Sequence, residues 1–299
     1  MLVKKSSLIL LPIILFLVLN MLSRDIIFSN YVYPSRYKHD LFPEPHESFD
    51  YVVLGHSHAR DSFDFNLVEK KGLNLALSAQ NLYWNQKMLE KYETFFHEDT
   101  VVIIEVSYAT FCQADRFGQI RYVPLGFDHK EVGITFQDYL LEKYFPLIGF
   151  NSLELIFSSS EHRAIRDSDF NSEEELIQNA IEYAKRTSQS ELCDSTIYEN
   201  NFDILNDIVK SQTSKGREVI IYSAPVHNIV VEVLNDNFDR LTLKRTLVHR
   251  LKNNYLIHFY EDYYVEGIST NNLYFRNANH LNSAGVHAYM NHFFNNLED

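Results

Sequence analysis

The sequence predicts an α/β protein: a three-layer sandwich around a central parallel sheet. Two observations predict it. Short apolar runs recur along the chain, and their continuous rather than alternating character is what strands buried on both faces require. Between them lie stretches with helical spacing, and strands that alternate with helices imply a parallel sheet covered on both sides. With 299 residues, 45% of them hydrophobic, the chain can build one large domain or two small ones.

Taken in order, the chain opens with Lys4 and Lys5 before the apolar run Leu8–Leu19, which continues through Asn20 to Leu22. The run is short of the roughly 20 residues that span a bilayer comfortably, and longer than the roughly 7–15 of most signal-peptide cores. Ser23-Arg24-Asp25 follows instead of a small-x-small cleavage site. We read residues 1–22 as an uncleaved signal-anchor, with the lysines cytoplasmic and everything beyond outside the cell membrane. A cleaved signal peptide is the alternative. Residues 23–48 carry Tyr, Pro and charge without a period and read as a stalk, which leaves 49–299 as the folded domain.

Tyr51-Val52-Val53-Leu54 is the first strand, and it runs into Gly55-His56-Ser57-His58-Ala59-Arg60-Asp61. Gly55 permits a sharp turn, and Ser57 then sits at the carboxyl end of the sheet, before a helical segment at 59–68. Ligands bind at that end in open α/β sheets, so Ser57 is a candidate nucleophile; its simpler reading is a helix cap. His56 and His58 flank it, and one of them is expected to line the site. Arg60-Asp61 reads as a local helix-start pair.

Gly72 to Ala79 is a second strand ending in the polar turn Ser78-Ala79, and 85–96 is helical. Val101-Val102-Ile103-Ile104-Glu105-Val106-Ser107 is the third strand. Residues 112–170, with four glycines and clustered aromatics, read as an insertion or lid. Ser172 and Glu175 form a capping-box pattern for a helix to about Thr187. A second helix, about 198–214, stops at Gly216. The strand at 218–223 ends in Ala224-Pro225-Val226-His227, which makes His227 another candidate for the site lining. A helix over roughly 229–251, a strand at 255–260 and a final helix at about 284–297 complete the chain.

Composition narrows the function. Forty acids against 27 lysines and arginines give a net charge of −13, which argues against nucleic acid as partner. The 13 histidines are scattered, without HExxH, CxxC or EF-hand spacing, so no metal site is expected. The two cysteines, Cys112 and Cys193, fit an exported protein without a disulfide framework, and whether they pair is open.

Just before the last helix stands Asn277-Ala278-Asn279-His280-Leu281-Asn282-Ser283. A histidine there can reach the carboxyl ends of the strands, and a residue three positions earlier can hold its other ring nitrogen. Asn279 and Asn282 read as residues that tie up turn backbone. Gly55-x-Ser57 after the first strand, with x-x-His280-Leu281 before the last helix, resembles the SGNH (GDSL-type) hydrolases over about residues 50–297. It is most similar to the membrane-anchored members that modify cell-envelope polysaccharide or teichoic acid.

The resemblance implies Ser57 as nucleophile and His280 as general base, with backbone N–H groups of Ser57 and of the Ser78-Ala79 turn receiving the oxyanion. It also implies an acylated glycan or acyl donor as substrate, a membrane-bound acyltransferase as partner, and no cofactor. Three positions depart from the family pattern. Asn277 stands where an aspartate is usual, Ala79 where a glycine is, and Glu105-Val106-Ser107 where an asparagine supplies an oxyanion donor, leaving Ser107 as the candidate there.

An asparagine orients an imidazole but does not neutralise an imidazolium. Glu261, Asp262 or Glu266 are candidates for the missing charge. The expected activity is a serine esterase or O-acyltransferase on acyl, chiefly acetyl, groups; the alternative is a glycan-binding or assembly module that has lost catalysis. Gly55-His56-Ser57-His58-Ala59 also approaches the G-x-S-x-G elbow of α/β-hydrolases. That fold needs an earlier loop to complete its oxyanion hole, and only one strand precedes Ser57.

Overall fold

The computed structural model describes residues 12, 14–20, 22, 43–44, 46–112, 122–123, 125–145, 170, 172–189, 194–234, 250–251 and 256–298. The chain divides into two units, Pro43–Asp115 with Ile165–Asp299, and Met1–Phe42 with Arg116–Ala164.

The larger unit is α/β. Its sheet has five parallel strands, β1 (Phe49–Leu54), β2 (Gly72–Asn74), β3 (Phe96–Glu105), β4 (Val219–Ser223) and β5 (Ile257–Glu261), in the order β2-β1-β3-β4-β5. This order is doubly wound, and its topological switch point falls between β1 and β3. Side chains alternate across a strand, so register sorts the core into two layers. Val53, Ile103 and Ile220 are in register and pack with Val286, Tyr289, Met290 and Phe293 of the last helix. The intervening row Val52, Val102 and Val219 is equally buried on the other face.

The helices follow from their caps. Between β1 and β2 lies a four-residue helix, α1 (Ser57–Arg60), and a 3-10 turn at Phe65–Leu67, instead of the continuous helix expected over 59–68. Asn74 is the physical reason: its Nδ2 donates to the carbonyls of Ala59, Arg60 and Phe63, acceptors that a continuing helix would have given to its own N–H groups. Helix α2 (Leu82–Tyr92) starts earlier than its apolar spacing indicates, because Asn81 caps it by accepting from the Trp84 N–H. Helix α3 (Tyr108–Cys112) follows β3, and Cys112 is disulfide-bonded; the sequence holds one other cysteine, Cys193.

In the smaller unit, α4 (Phe136–Tyr144) is capped by Thr135, and Tyr122, Val123, Leu125, Phe127 and Val132 are buried. Part of this unit falls within the region that the sequence sets apart at 112–170. Of the expected anchor, residues 12, 14–20 and 22 are helical, and Ile14 to Leu19 are exposed. Among the described residues no helix is long and apolar enough to cross a membrane. The rest of residues 1–22, and the expected stalk apart from 43–44 and 46–48, lie outside them.

Back in the larger unit, α5 (Glu173–Gln189) begins where Ser172 accepts from the Glu175 N–H, and α6 (Ser195–Thr213) where Asp194 accepts from Thr196 and Ile197. The helix expected over 229–251 is observed as α7 (Asn228–Val233); residues 235–249 lie outside the described set. A two-stranded antiparallel hairpin then precedes the last helix, α8 (Ser283–Glu298). Its strands are β6 (Phe275–Asn277) and β7 (His280–Leu281), an element that apolar patterning does not reveal.

Candidate active site

The site is assembled at the carboxyl ends of β1 and β3. Leu54 pairs with Ile104, so the next residues, Gly55 and Glu105, lie side by side. A Cβ on Gly55 would stand 2.7 Å from the Glu105 Cβ and 2.8 Å from the Ala59 Cβ, and its φ of +146° is one that L side chains rarely adopt. Glycine is therefore demanded twice over, by space and by conformation. The turn it makes presents His56 as the cap of α1 and Ser57 as its first residue.

On the far side, the β6–β7 hairpin pairs Asn277 directly with His280 across the two-residue link Ala278-Asn279. The hairpin is locked onto α8 by Asn282, which donates to the Leu273 carbonyl at 2.7 Å and accepts from the Gly285 N–H at 3.0 Å. These two supports bring together residues 223 positions apart: Ser57 Oγ lies 2.9 Å from His280 Nε2. His280 Nδ1 lies 2.9 Å from Asn277 Oδ1, which holds the ring with Nδ1–H donated to the amide and Nε2 open to the serine proton. Burial keeps His280 well below the ordinary histidine range, with His58 pushing the same way and Asp61 opposing. The imidazole is thus neutral, as a general base must be before it acts.

None of Glu261, Asp262 and Glu266 has a described contact with this histidine. Asp262 accepts from the Tyr289 hydroxyl at 2.9 Å and Glu266 from the Tyr264 hydroxyl. The acid whose charge reaches His280 is Asp61. It is buried and accepts twice from Arg60, at 2.8 Å each, and once from Arg276 at 3.3 Å. Burial alone would raise its pKa, but the Arg60 bonds and the surrounding positive charges reverse that and leave it below the usual carboxylate range. Arg60-Asp61 is a local pair, then, and also a charge beside the histidine.

The Ser78-Ala79 turn is tied to α1 by a hydrogen bond from Arg60 Nη1 to Ser78 Oγ. Ala79 has φ of +51°, so its backbone takes up the left-handed conformation that favours glycine. The N–H of Ser57, at the first helical position, has no acceptor within its own helix.

His56 and His58 join a buried polar group, and the His58 ring also stands edge-on to His280 with centroids 5.1 Å apart. His56 Nε2 lies 3.1 Å from Ser107 Oγ and 3.1 Å from Glu105 Oε2, and His58 Nδ1 lies 3.8 Å from Glu105 Oε1. Burial lowers both histidines to about 4, against the opposing charges of Glu105 on His56 and Asp61 on His58. It raises Glu105 above the ordinary carboxylate range, and His56 offsets this only in part. Neither Glu105 oxygen accepts a hydrogen bond of ordinary geometry, although His56 Nε2 is within ion-pair distance. Closeness alone does not aim a proton at the carboxyl oxygen.

Ser107 belongs to this buried group; its hydroxyl lies 3.2 Å from Thr110 Oγ1 as well. Asn282 ties up turn backbone as expected, but the Asn279 side chain instead reaches His58 Nε2 at 2.7 Å. His227 is engaged elsewhere: Nε2–H donates to Asn272 Oδ1 at 2.6 Å and Nδ1 accepts from the Ile229 N–H at 3.3 Å. Its backbone supports the hairpin by donating to the Ala278 carbonyl. Sequence patterning misses Glu105 as a site residue, because one acid ending an apolar strand gives no periodic signal.

Neither a scan against models of known protein families nor a search of curated proteins finds a match for this chain.

Proposed function

We propose that the chain is an exported, membrane-anchored serine esterase or O-acyltransferase that acts on acyl groups, chiefly acetyl, of cell-envelope glycans. The observation that carries the chemistry is the relay Ser57–His280–Asn277, with both links at 2.9 Å. The resemblance to the SGNH hydrolases supplies the substrate class. The apolar N-terminal segment behind Lys4 and Lys5 supplies the anchor, and residues 112–170 the insertion or lid.

In this reading Ser57 Oγ attacks the acyl carbonyl as its proton passes to His280 Nε2. The N–H groups of Ser57 and of the Ser78-Ala79 turn receive the oxyanion. His280 returns the proton to the leaving alcohol, and an acyl-enzyme remains on Ser57. Water, or a sugar hydroxyl, then attacks with His280 again as base and frees the serine. Asn277 fixes the tautomer and the orientation of the ring. Asp61 adds a negative potential, largely spoken for by Arg60 and Arg276.

A fluorophosphonate probe tests the reading, because only an activated serine is phosphonylated. The full chain in detergent should become labelled, and Ser57→Ala should not. No labelling of a folded chain that still binds acylated envelope glycan would leave the binding module as the survivor.

A further inference from the structure

The serine reading makes no use of His56, His58 and Glu105, and does not account for their geometry. We propose that these three residues form a binding site for one divalent transition-metal ion, with zinc the best match to the donor set. The proposal is independent of the serine reading.

Three observations carry it. One ligating atom from each residue lies within 4.8 Å of the others, and all three residues are buried. Glu105 reaches the two imidazoles through different oxygens, Oε2 at 3.1 Å from His56 Nε2 and Oε1 at 3.8 Å from His58 Nδ1. Ligand atoms about 2.0–2.1 Å from a tetrahedral zinc stand about 3.4 Å apart, a spacing close to both distances. Second, Glu105 is 0% exposed, yet neither of its oxygens accepts a hydrogen bond of ordinary geometry. A buried carboxyl group is tolerated when it is paired or bound to a metal, and the nearest ring nitrogens here belong to two imidazoles, whose neutral form ligates.

The third observation is the surrounding shell. A ligating histidine commonly donates its second ring N–H to a fixed acceptor. With Nδ1 of His58 on the metal, Nε2–H faces the Asn279 side chain at 2.7 Å; a half-turn of that amide presents its oxygen without moving the group. With Nε2 of His56 on the metal, its proton moves to Nδ1, and what is given up is a contact from the His58 N–H at 3.4 Å, near the limit for a hydrogen bond. Ser107 Oγ stands 3.1 Å from His56 Nε2, beside the ligand triangle. Two imidazoles with one carboxylate select zinc and its neighbours over magnesium or calcium, which prefer oxygen donors alone. Three protein ligands also leave a fourth position open, as in zinc sites that hold water or substrate.

The test uses the untagged full chain in detergent, stripped with a chelator and titrated with Co²⁺. One equivalent should bind with the visible absorption of a low-coordinate cobalt centre, and one equivalent of Zn²⁺ should bleach it. His58→Gln and Glu105→Gln should each abolish the spectrum. Asn279→Ala should weaken binding roughly ten- to a hundredfold. If the ligand variants fail to fold, elemental analysis of the wild-type chain after zinc loading decides alone. A chain with native circular dichroism that retains well under one equivalent and gives no cobalt spectrum overturns the proposal, and the cluster is then a buried acid–imidazole contact only. A cobalt spectrum that persists in both ligand variants overturns it equally.

Discussion

The turn after β1 gives neighbouring residues different partners. Ser57 leaves it towards His280 and Asn277, all three partly open to solvent, in a chain held by aimed hydrogen bonds between neutral groups. His56 and His58 leave it towards Glu105, where all three groups are buried and the carboxyl group is close to donors without a hydrogen bond of ordinary geometry. A relay of neutral partners satisfies itself without help, and its geometry already describes its chemistry. A buried acid beside two imidazoles, without a hydrogen bond of ordinary geometry, does not satisfy itself, and the cost of that arrangement points to something still to be added.

The largest expected effect separates the two sides most sharply. Ser57→Ala and His280→Ala should each lower ester turnover by at least about a thousandfold, with thermal stability nearly unchanged, because neither side chain carries the core. Turnover surviving in both variants would move the chemistry off the relay altogether. Gly55→Ala should instead break both sides together. The new Cβ would meet Glu105 and Ala59 at 2.7 and 2.8 Å on a backbone already at φ +146°, so urea denaturation should show a loss of about 2–5 kcal/mol. A wild-type midpoint in that variant would mean the turn is looser than its register implies.

Asn277→Asp addresses the relay alone. The amide holds the ring but leaves an imidazolium without its own counter-charge, and Asp61 is already engaged by two arginines. Turnover should rise by roughly ten- to a hundredfold, short of the full cost of the same exchange in a serine protease. The pH profile should move with it. In the parent, burial holds His280 well below the ordinary range, so activity should persist as pH falls through about 6.5 and fail only when the ring finally protonates. A carboxylate at 277 favours the protonated ring and should shift that acid limb upward. No change in rate or limb would show that Asp61 already supplies the charge, arginines notwithstanding. The smallest effect is expected at the oxyanion turn. Ala79→Gly relieves a φ of +51° and should gain about 0.5–1 kcal/mol in a melting experiment without loss of turnover. A destabilised Ala79→Gly protein would mean the methyl group packs more than the conformation costs.

Much of this is written locally. Apolar runs such as Tyr51–Leu54 and Val101–Val106 announce strands buried on both faces. Gly55 announces a sharp turn, and the three-residue step from Asn277 to His280 places an acceptor within reach of a ring nitrogen, which the hairpin register realises. These features are legible because each depends on a few consecutive residues and on elementary preferences for burial and backbone angle. What the tertiary structure decided was which local features meet. Strand order and the pairing of Leu54 with Ile104 brought Glu105 against the Ser57 turn, a partner that no spacing in the sequence indicates. Asn74, from a different strand, took the carbonyls that would have continued the helix after Arg60. Asp61, rather than an acid next to the hairpin, became the charge beside His280. Periodicity reports how a residue faces its own neighbours, whereas contacts across the sheet depend on register and strand order, which are set by the packing of the whole chain.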